Sequence, residues 1–323
     1  MENKETICAV VVTYNRKDLL IECLEALEGP NNLNAIYIFD NASTDKTPEL
    51  LRKKGYLTEI PPPNHEEPWD TTSQKESLLI HYTRNPYNTG GAGGFHEGVK
   101  RAYQIGYDLL WLMDDDTLAR ADSLKILLKK YQHLKSEYSV GFLCSKVLWK
   151  DEIHLMNLPL ISPFINGIPF NDQDDEGVLI VKIASFVSLL LSADTVKAVG
   201  LPFKEFFLWG DDTEYTDRMT RSGYMGFYVK DSAVYHQTPS NYHSDIFSAK
   251  SIDAWKYRLG IRNNLYIKRK DGILSFIAGI FFNLIYINFE ILKKRKDHRI
   301  RFILINTSAS LSAILFNPPV VRV

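Results

Sequence analysis

The strongest chemical signal in this chain is a row of three carboxylates, Asp114-Asp115-Asp116, directly after the apolar run Leu109–Met113. Ligands of open α/β sheets bind beyond the carboxyl ends of the strands, which is where this row stands. Residues i and i+2 of an extended segment point the same way, so Asp114 and Asp116 can converge on one hard cation. Three adjacent carboxylates repel one another unless a cation compensates them. The pattern therefore favours a divalent-metal site that could hold a diphosphate over an acidic turn that caps the next helix.

A glycine-rich segment, Asn88–Gly94, is the second candidate. Four glycines in five residues let the backbone approach a ligand closely, and the helix that follows can direct its first N–H groups at an anion. The segment lacks the Gly-Lys-Ser/Thr of a P-loop and does not follow the first strand as a dinucleotide fingerprint does. By itself it is compatible with a binding loop or with a plain flexible turn.

Two further segments carry carboxylates. Asp40–Asp45 follows an apolar strand, where Asp40 can accept a hydrogen bond from the ring N–H of a base and Ser43 or Thr44 can cap the next helix. Asp211-Asp212 stands at a helix start beside Trp209, where a carboxylate can act as a general base or can simply interact favourably with the helix dipole.

One histidine, His236, follows a predicted strand. A lone histidine in such a position is a structural residue more often than a ligand, so this signal needs support from its surroundings.

The elements that must position these residues alternate along the first 120 positions. Strands are predicted at Ile7–Thr13, Ile36–Phe39, Leu78–Tyr82 and Leu109–Met113, and helices at Asp18–Leu27, Thr47–Lys54 and Gly93–Ile105. Strands separated by helices of this length imply right-handed crossovers and a largely parallel sheet. The polar, Pro-rich stretch Thr58–Ser77 predicts an exposed loop.

The middle of the chain is mixed. Strands are predicted at Val140–Leu148, Val181–Leu191 and Met225–Tyr235, and helices at Ala193–Val199 and Asp211–Arg221. The stretch Ile153–Gly177, rich in Pro, Asn and Asp, predicts irregular structure.

The composition is that of a globular protein. The 323 residues are 45% hydrophobic and 24% charged, which excludes wholesale disorder, collagen-like repeats and a polytopic membrane protein. Three scattered cysteines are too few for a disulfide scaffold or a zinc cluster, which fits a reducing compartment. The short apolar run near the start predicts no signal peptide.

The last 78 residues differ from the rest in charge. Residues 246–323 hold 14 Lys and Arg against four Asp and Glu, whereas the first 245 are acidic. The apolar run Ile273–Leu292 lies between the basic segments Lys268–Lys270 and Lys293–Lys296 and carries a polar stripe at helical spacing. We expect a helix in the interface of an anionic membrane with its polar stripe outward. A core helix packed on the catalytic domain and a membrane-spanning helix are the alternatives. Aromatic residues do not interleave with the cations, so nucleic acid is not an expected partner.

Together these residues resemble the family 2 glycosyltransferases, the large inverting class with the GT-A fold. The resemblance runs in order through Val10–Arg16, Asp40–Asp45, Asp114–Asp116 and Asp211-Asp212. Three details are most similar to bacterial galactofuranosyltransferases, namely Asn88–Phe95, Phe206–Tyr215 and His236 followed by Pro239. Rhamnosyltransferases share much of this pattern. The implied fold is an α/β GT-A domain, Rossmann-like with a mostly parallel sheet flanked by helices, over residues 1–245, followed by a helical, basic and membrane-associating region over residues 246–323.

The resemblance also implies roles. Asp114, Asp116 and His236 would hold Mn²⁺ or Mg²⁺, and Asp212 would be the catalytic base, with Asp211 or Glu214 as alternatives. The nucleotide-sugar pocket would be formed by Thr13, Arg16, Asp40, Asn88, Gly91 and Asp115. No role follows for Arg262-Asn263, although the segment resembles the part of such enzymes that follows the catalytic residues.

The implied activity is inverting transfer of a sugar, with UDP-galactofuranose as the expected donor and dTDP-rhamnose as the alternative. The expected acceptor is an oligosaccharide or lipid-linked glycan of bacterial cell-surface polysaccharide synthesis, such as O antigen or capsule. The expected location is the cytoplasm, peripheral on the inner membrane. A nucleotidyltransferase would need a more basic first loop than Thr13–Arg16. A non-catalytic membrane- or carbohydrate-binding protein would have no need for the intact carboxylates.

Overall fold

The computed structural model describes residues 5–29, 33–161, 164–165, 168–169, 177–241 and 245–323. In these ranges the strands are β1 Ile7–Thr13, β2 Ala35–Asp40, β3 Trp69–Lys75, β4 Leu78–Arg84, β5 Leu109–Asp114, β6 Thr117–Ala119, β7 Val140–Trp149, β8 Leu160–Ile161, β9 Phe164–Ile165, β10 Ile168–Pro169, β11 Val178–Ile183, β12 Leu189–Ser192 and β13 Met225–His236. The α-helices are α1 Lys17–Leu27, α2 Thr47–Lys53, α3 Gly90–Ile105, α4 Ser123–Leu134, α5 Ala193–Val199, α6 Asp211–Arg221, α7 Ala254–Arg269, α8 Ile273–Phe281, α9 Asn288–Lys294 and α10 Arg299–Leu315.

One large mixed sheet forms the centre of the molecule. Its strand order is β3-β4-β2-β1-β5-β12-β7-β13-β11-β8, and β6 pairs with β13. The strands β4, β2, β1 and β5 are mutually parallel, as predicted, whereas β12 runs antiparallel to both of its neighbours. The sheet is therefore parallel from β4 to β5, with the antiparallel edge strand β3 beyond β4, and mixed beyond β5.

The uniform apolar character of β1 has a simple cause. Alternate side chains of the strand pack into two different hydrophobic clusters on opposite faces of the sheet. A strand covered on both faces needs apolar residues at every position rather than at every second one. All seven residues of β1 are buried, and the strand ends in the polar Thr13 at the edge of the sheet.

Two predictions of local structure were wrong. The second half of Thr58–Ser77 forms β3, because this polar edge strand takes its hydrogen bonds from antiparallel pairing with β4 rather than from an apolar face. The run Val181–Leu191 is two strands, β11 and β12, separated by a turn that contains Ser188 at a φ of 62°. The predicted irregular stretch Ile153–Gly177 lies partly outside the described residues.

The C-terminal region forms a helical layer. A π-helical turn, Phe282–Ile287, joins α8 to α9, so that Ile273–Lys294 is one continuous helix. Within the described chain it is the one helix long and apolar enough to cross a membrane, by length and composition. The helix α10 packs against both α7 and α9.

The predicted orientation of the apolar helix is largely reversed in the structure. Gly279 and Glu290 of the polar stripe are buried, although Tyr286 of the same stripe is 49% exposed, and the apolar Leu274 and Ile285 are 80% and 67% exposed. The inward face packs closely on its neighbours: a Cβ on Gly279 would lie 3.0 Å from Leu265 of α7, and Asn288, beside the stripe, donates to Thr307 of α10.

Two of the predicted basic flanking residues are also turned inward. Arg295 is buried, donates to the backbone carbonyls of Ile246 and Ala249, and lies 3.5 Å from the ring centre of Phe302. Arg269 donates to backbone carbonyls at the end of α10. Part of the basic charge of this region therefore holds the helices together rather than facing outward.

Candidate active site

The carboxyl ends of the parallel strands bring the predicted site residues to one edge of the sheet. Thr13 of β1 lies opposite Asp40 of β2, and Val12 lies opposite Asp114 of β5. A cavity of about 460 Å³ opens at this edge. Its walls carry most of the predicted ionisable residues, namely Arg16, Asp114, Asp116, Asp211, Asp212 and His236.

A second cavity of about 820 Å³ adjoins the first. It is lined by Thr13, Asn88 and Asp115 of the predicted nucleotide-sugar pocket. Arg16 and Gly91 line both cavities, so the predicted metal and nucleotide-sugar residues border one continuous space.

Asp114, Asp116 and His236 form a cluster with the geometry of a metal site. One ligand atom from each lies within 4.8 Å of the others. His236 Nε2 is 3.0 Å from Asp116 Oδ1 and 3.9 Å from Asp114 Oδ2. Two carboxylates and one imidazole form a donor set that suits Mn²⁺ or Mg²⁺.

A hydrogen bond to the nitrogen that faces away from the carboxylates fixes the orientation of the His236 imidazole. His236 Nδ1 donates to Asn157 Oδ1 at 3.0 Å, which leaves Nε2 as the atom that faces the carboxylates. Hydrogen bonds of this kind to the outer nitrogen set the tautomer of metal-binding histidines. Asn157 could not be found from the sequence, because it lies in the stretch predicted to be irregular.

Burial and mutual repulsion perturb the carboxylates. Burial, followed by the charge of Asp116, raises the pKa of Asp114 to about 6, and burial raises the pKa of Asp115 to about 7. Burial alone would also raise the pKa of Asp116, but the hydrogen bond and charge of His236 outweigh it, so this pKa is lowered. A site that holds this much buried negative charge gains from a bound cation.

Asp115 faces away from the metal cluster. Its Oδ2 accepts from Thr13 Oγ1 at 2.7 Å, and its Oδ1 lies 3.2 Å from Arg16 Nη1. The same guanidinium nitrogen lies 2.7 Å from Asp116 Oδ2. Arg16 therefore bridges the metal cluster and the nucleotide-sugar side of the cavity, with about half of its side chain exposed.

Asp40 is less accessible than the sequence suggested. Its carboxylate is fully buried and accepts hydrogen bonds from Tyr82 Oη, Arg84 Nη1 and the backbone N–H of Ser43. Contact between Asp40 and a base would require one of these donors to move aside, and the predicted role stays a prediction.

The glycine loop is anchored by Asn41, a residue without a predicted role. Asn41 Nδ2 donates to the carbonyl of Gly90, and Asn41 Oδ1 accepts from the N–H of Thr89. Asn88 Oδ1 accepts from the N–H of Gly90 at 2.7 Å. These bonds hold Gly91, the first turn of α3, at the wall of both cavities.

Asp211 and Asp212 begin α6 and face the metal cluster across the smaller cavity. Burial raises the pKa of both, and for Asp211 the charge of Asp212 adds to the effect. Asp212 Oδ1 accepts from the backbone N–H of Thr213 at 2.6 Å. Glu214 is instead buried and paired with Arg218 at 2.9 Å.

Sequence reasoning missed one wall of the larger cavity. The wall consists of residues from the segment before α6 and from α7, namely Glu205, Phe207, Leu208, Trp209, Trp255, Lys256, Leu259 and Arg262. The last four belong to the region predicted to be membrane-associating. The signal that could have located them is the Arg262-Asn263 segment, to which the sequence analysis assigned no role.

Residues 8–147 match the family model described as Glycosyl transferase family 2. Residues 8–147 thus form a domain that matches this family. The matched residues contain β1, the glycine loop and the three aspartates.

Two curated relatives and one solved structure extend the match. The chain is 29% identical over 230 residues to galactofuranosyltransferase GlfT1 of Mycolicibacterium smegmatis, covering 69% of this chain and 68% of that one. It is 28% identical over 284 residues to GlfT1 of Mycobacterium tuberculosis, covering 85% and 86%. The solved structure of GalNAc-T7 with UDP, GalNAc and Mn²⁺ matches with a TM-score of 0.59 at 12% identity, covering 96% of this chain and 55% of that one, and it supports the GT-A fold.

Proposed function

We propose that the protein transfers galactofuranose from UDP-galactofuranose to a glycan acceptor with inversion at the anomeric carbon. The observation that carries the proposal is the placement of Asp212 opposite the Asp114, Asp116 and His236 cluster in one cavity. The similarity to galactofuranosyltransferases over 85% of the chain supports the choice of sugar.

Asp212 is the proposed general base. An acceptor hydroxyl is a poor nucleophile, and a carboxylate can take its proton as the new C–O bond forms. The raised pKa of Asp212 makes it a stronger base than an exposed aspartate. One displacement inverts the anomeric centre, and no covalent sugar intermediate on a carboxylate is needed.

The other charged residues bind the donor. Asp114, Asp116 and His236 would hold Mn²⁺ or Mg²⁺, which when bound neutralises the charge that grows on the leaving diphosphate. Arg16 adds a protein cation on the same side. Thr13 and Asp115 are proposed to contact the ribose or the donor sugar, and Asn88 and Gly91 to lie beside the nucleotide sugar.

A donor panel tests the sugar. UDP-galactofuranose, UDP-galactopyranose, UDP-glucose and dTDP-rhamnose are offered with Mn²⁺ or Mg²⁺, and release of UDP or dTDP is measured. We expect turnover with UDP-galactofuranose. Turnover with dTDP-rhamnose alone would show that the protein is a rhamnosyltransferase, and formation of pyrophosphate would indicate a nucleotidyltransferase.

We also propose that residues 1–245 form the catalytic domain and that residues 246–323 bind the cytoplasmic face of the inner membrane. The outward apolar face of α8, α9 and α10 supports this proposal, since Leu274, Ile300 and Leu315 are each at least 74% exposed. Exposed apolar patches of this kind are typical of membrane-binding surfaces. A membrane-bound enzyme can reach a lipid-linked acceptor of cell-surface polysaccharide synthesis, which cannot leave the bilayer.

Liposome flotation tests the membrane proposal. The protein is mixed with neutral or anionic vesicles at low and high salt. Because the outward face is apolar, we expect binding to both kinds of vesicle, with stronger binding to anionic lipid at low salt. Failure to float under any of these conditions would contradict membrane association.

A further inference from the structure

The segment Phe206–Gly210 leads directly into the proposed base at the start of α6, and it has an unusual backbone. Phe207 has φ 62° and ψ −54°, and the N–H of Leu208 donates to the carbonyl of Phe206 at 2.7 Å. This is the geometry of a γ-turn of the rare, strained kind. Trp209 follows at φ 66° and Gly210 at φ 87°. Backbone in such conformations persists only where the surrounding structure fixes it.

One side chain from α7 provides most of that support. Asn263 is fully buried, and its Nδ2 lies within 3.1 Å of three carbonyl oxygens of the segment, those of Phe206, Leu208 and Trp209. Its Oδ1 accepts two hydrogen bonds from Arg262, at 2.8 and 3.0 Å, which fixes the amide with Nδ2 toward the segment. The orientation of the amide is thus determined by its own partners.

The same helix supports the segment by packing. A Cβ on Gly260 would lie 2.7 Å from Cε3 of Trp209, so the indole can rest on the helix only because residue 260 lacks a side chain. Tyr257 packs edge-on against the Trp209 ring, with the ring centroids 5.2 Å apart. On the opposite side, the N–H of Ala92 at the start of α3 donates to the carbonyl of Phe207.

We infer that Asn263 is a positioning residue for transfer: it holds the strained segment so that Asp212 faces the metal cluster and Leu208 and Trp209 line the cavity. The inference rests on the proposed base role of Asp212 and extends it to α7. It assigns to residues 254–269 a part in the active site as well as in the helical layer.

The sharpest test is Asn263→Asp. The carboxylate has nearly the same shape and keeps the bonds from Arg262, but it cannot donate to the three carbonyls. We expect kcat to fall about 10²-fold, the usual cost of misplacing a reacting group by about 1 Å. The Kd for Mn²⁺, measured by calorimetry, should stay within about twofold, because the proposed metal ligands Asp114, Asp116 and His236 lie on β5, on the turn after it and on β13 rather than on this segment.

The matched control is Asn264→Asp, the same change on the exposed neighbouring position of α7. Turnover of Asn263→Asp equal to that of this control would overturn the inference. A rise in the Kd for Mn²⁺ as large as the fall in kcat would also overturn the inference, because such a rise would mean that Asn263 supports the whole fold rather than the segment.

Gly260→Ala keeps the inference testable if Asn263→Asp does not fold. Alanine favours a helix more than glycine does, so α7 itself should not be weakened. The added methyl group would displace Trp209, and we expect turnover to fall while the protein still folds and α7 keeps its helical content, measured by circular dichroism. Unchanged turnover would contradict the inference.

Asp212→Asn, assayed in parallel, separates the two proposals. The assay uses whichever donor the wild-type enzyme turns over, so it does not depend on the galactofuranose assignment. Full turnover in Asp212→Asn would remove the base role, whereas loss in Asn263→Asp would still assign positioning of the cavity wall to α7.

Discussion

The sheet domain and the C-terminal helical layer differ in the surface that they leave outside. In the sheet, β1 buries seven residues and leaves polar groups at the strand ends, where the cavities open. In the helical layer, small apolar clusters such as Ala254, Ile291 and Phe302 lie beside polar side chains that bond between helices, and many large apolar side chains face outward. The first pattern is typical of a protein folded in water, and the outward apolar face of the second fits the proposed membrane association.

Asn306 shows how polar side chains join the helices of this layer. It is fully buried on α10, and its Nδ2 donates to the carbonyl of Asn283 and to Oδ1 of Asn288, each at 2.8 Å. A buried amide that is hydrogen-bonded across a helix pair helps to hold the pair in register, beside the apolar contact of Ile291 with Phe302. The same chain therefore uses polar groups for chemistry in one region and for helix pairing in the other.

The largest expected effect comes from removing a metal ligand. Asp116→Ala should lower turnover by about 10³-fold or more, since metal-ion stabilisation of a leaving group is worth several kcal/mol. Chelation with EDTA should do the same to the wild-type protein. The control is Asp122→Ala, an exposed aspartate near the same strand end. Full activity in EDTA, or in Asp116→Ala, would refute the metal site.

The second largest loss of turnover is expected from changing the proposed base, Asp212. Asp212→Asn keeps size and hydrogen bonding but cannot accept a proton, so we expect turnover to fall by about 10²–10⁴-fold. Calorimetry should find metal and UDP binding unchanged. Near-normal turnover would move the role to Asp211, since Glu214 is already paired with Arg218.

The third effect probes the outward face of the helical layer. Ile285→Glu should lower the vesicle partition coefficient about tenfold or more, because burying one large aliphatic side chain is worth about 1.5–3 kcal/mol. Ile153→Glu is the matched control, since Ile153 is 76% exposed but lies on the sheet domain. Equal flotation of the two variants would mean that the apolar face does not meet lipid.

The smallest expected effect concerns His96, a buried titratable residue of the sheet domain, and the pH dependence of stability. His96 Nδ1 donates to the carbonyl of Pro202 at 2.6 Å, and burial lowers the pKa of the imidazole. As the pH falls, the imidazole is therefore protonated in the unfolded chain before it is protonated in the folded protein. The contribution of His96 to the free energy of unfolding is complete above the unfolded pKa of about 6.5 and is lost as the pH falls toward the folded pKa.

Thermal unfolding between pH 7.5 and pH 5.5 measures this contribution. We expect the melting temperature of His96→Gln to fall less over that range than the melting temperature of the wild type. Identical slopes would show that His96 does not contribute to the acid sensitivity of the domain.

Much of the sheet domain could be predicted because its signals are local. Residues 7–13 had to be strand, since an unbroken run of six apolar residues followed by the polar Thr13 fits a strand covered on both faces. The clustering of Asp114 and Asp116 followed from strand geometry together with the position of the row at a strand end. The edge strand β3 was missed because its hydrogen bonds come from a partner strand and leave little trace in its own composition.

The sequence by itself determined the parallel half of the sheet, the row of carboxylates and the resemblance to family 2 glycosyltransferases, because each depends on residues close together in the chain. Tertiary structure alone decided which face of Ile273–Lys294 is covered, since helical periodicity locates a polar stripe but not the partner that satisfies it. It also decided that Asn263 reaches the segment before Asp212. That contact joins residues more than 50 positions apart, and only the packing of α7 against the sheet domain brings them together.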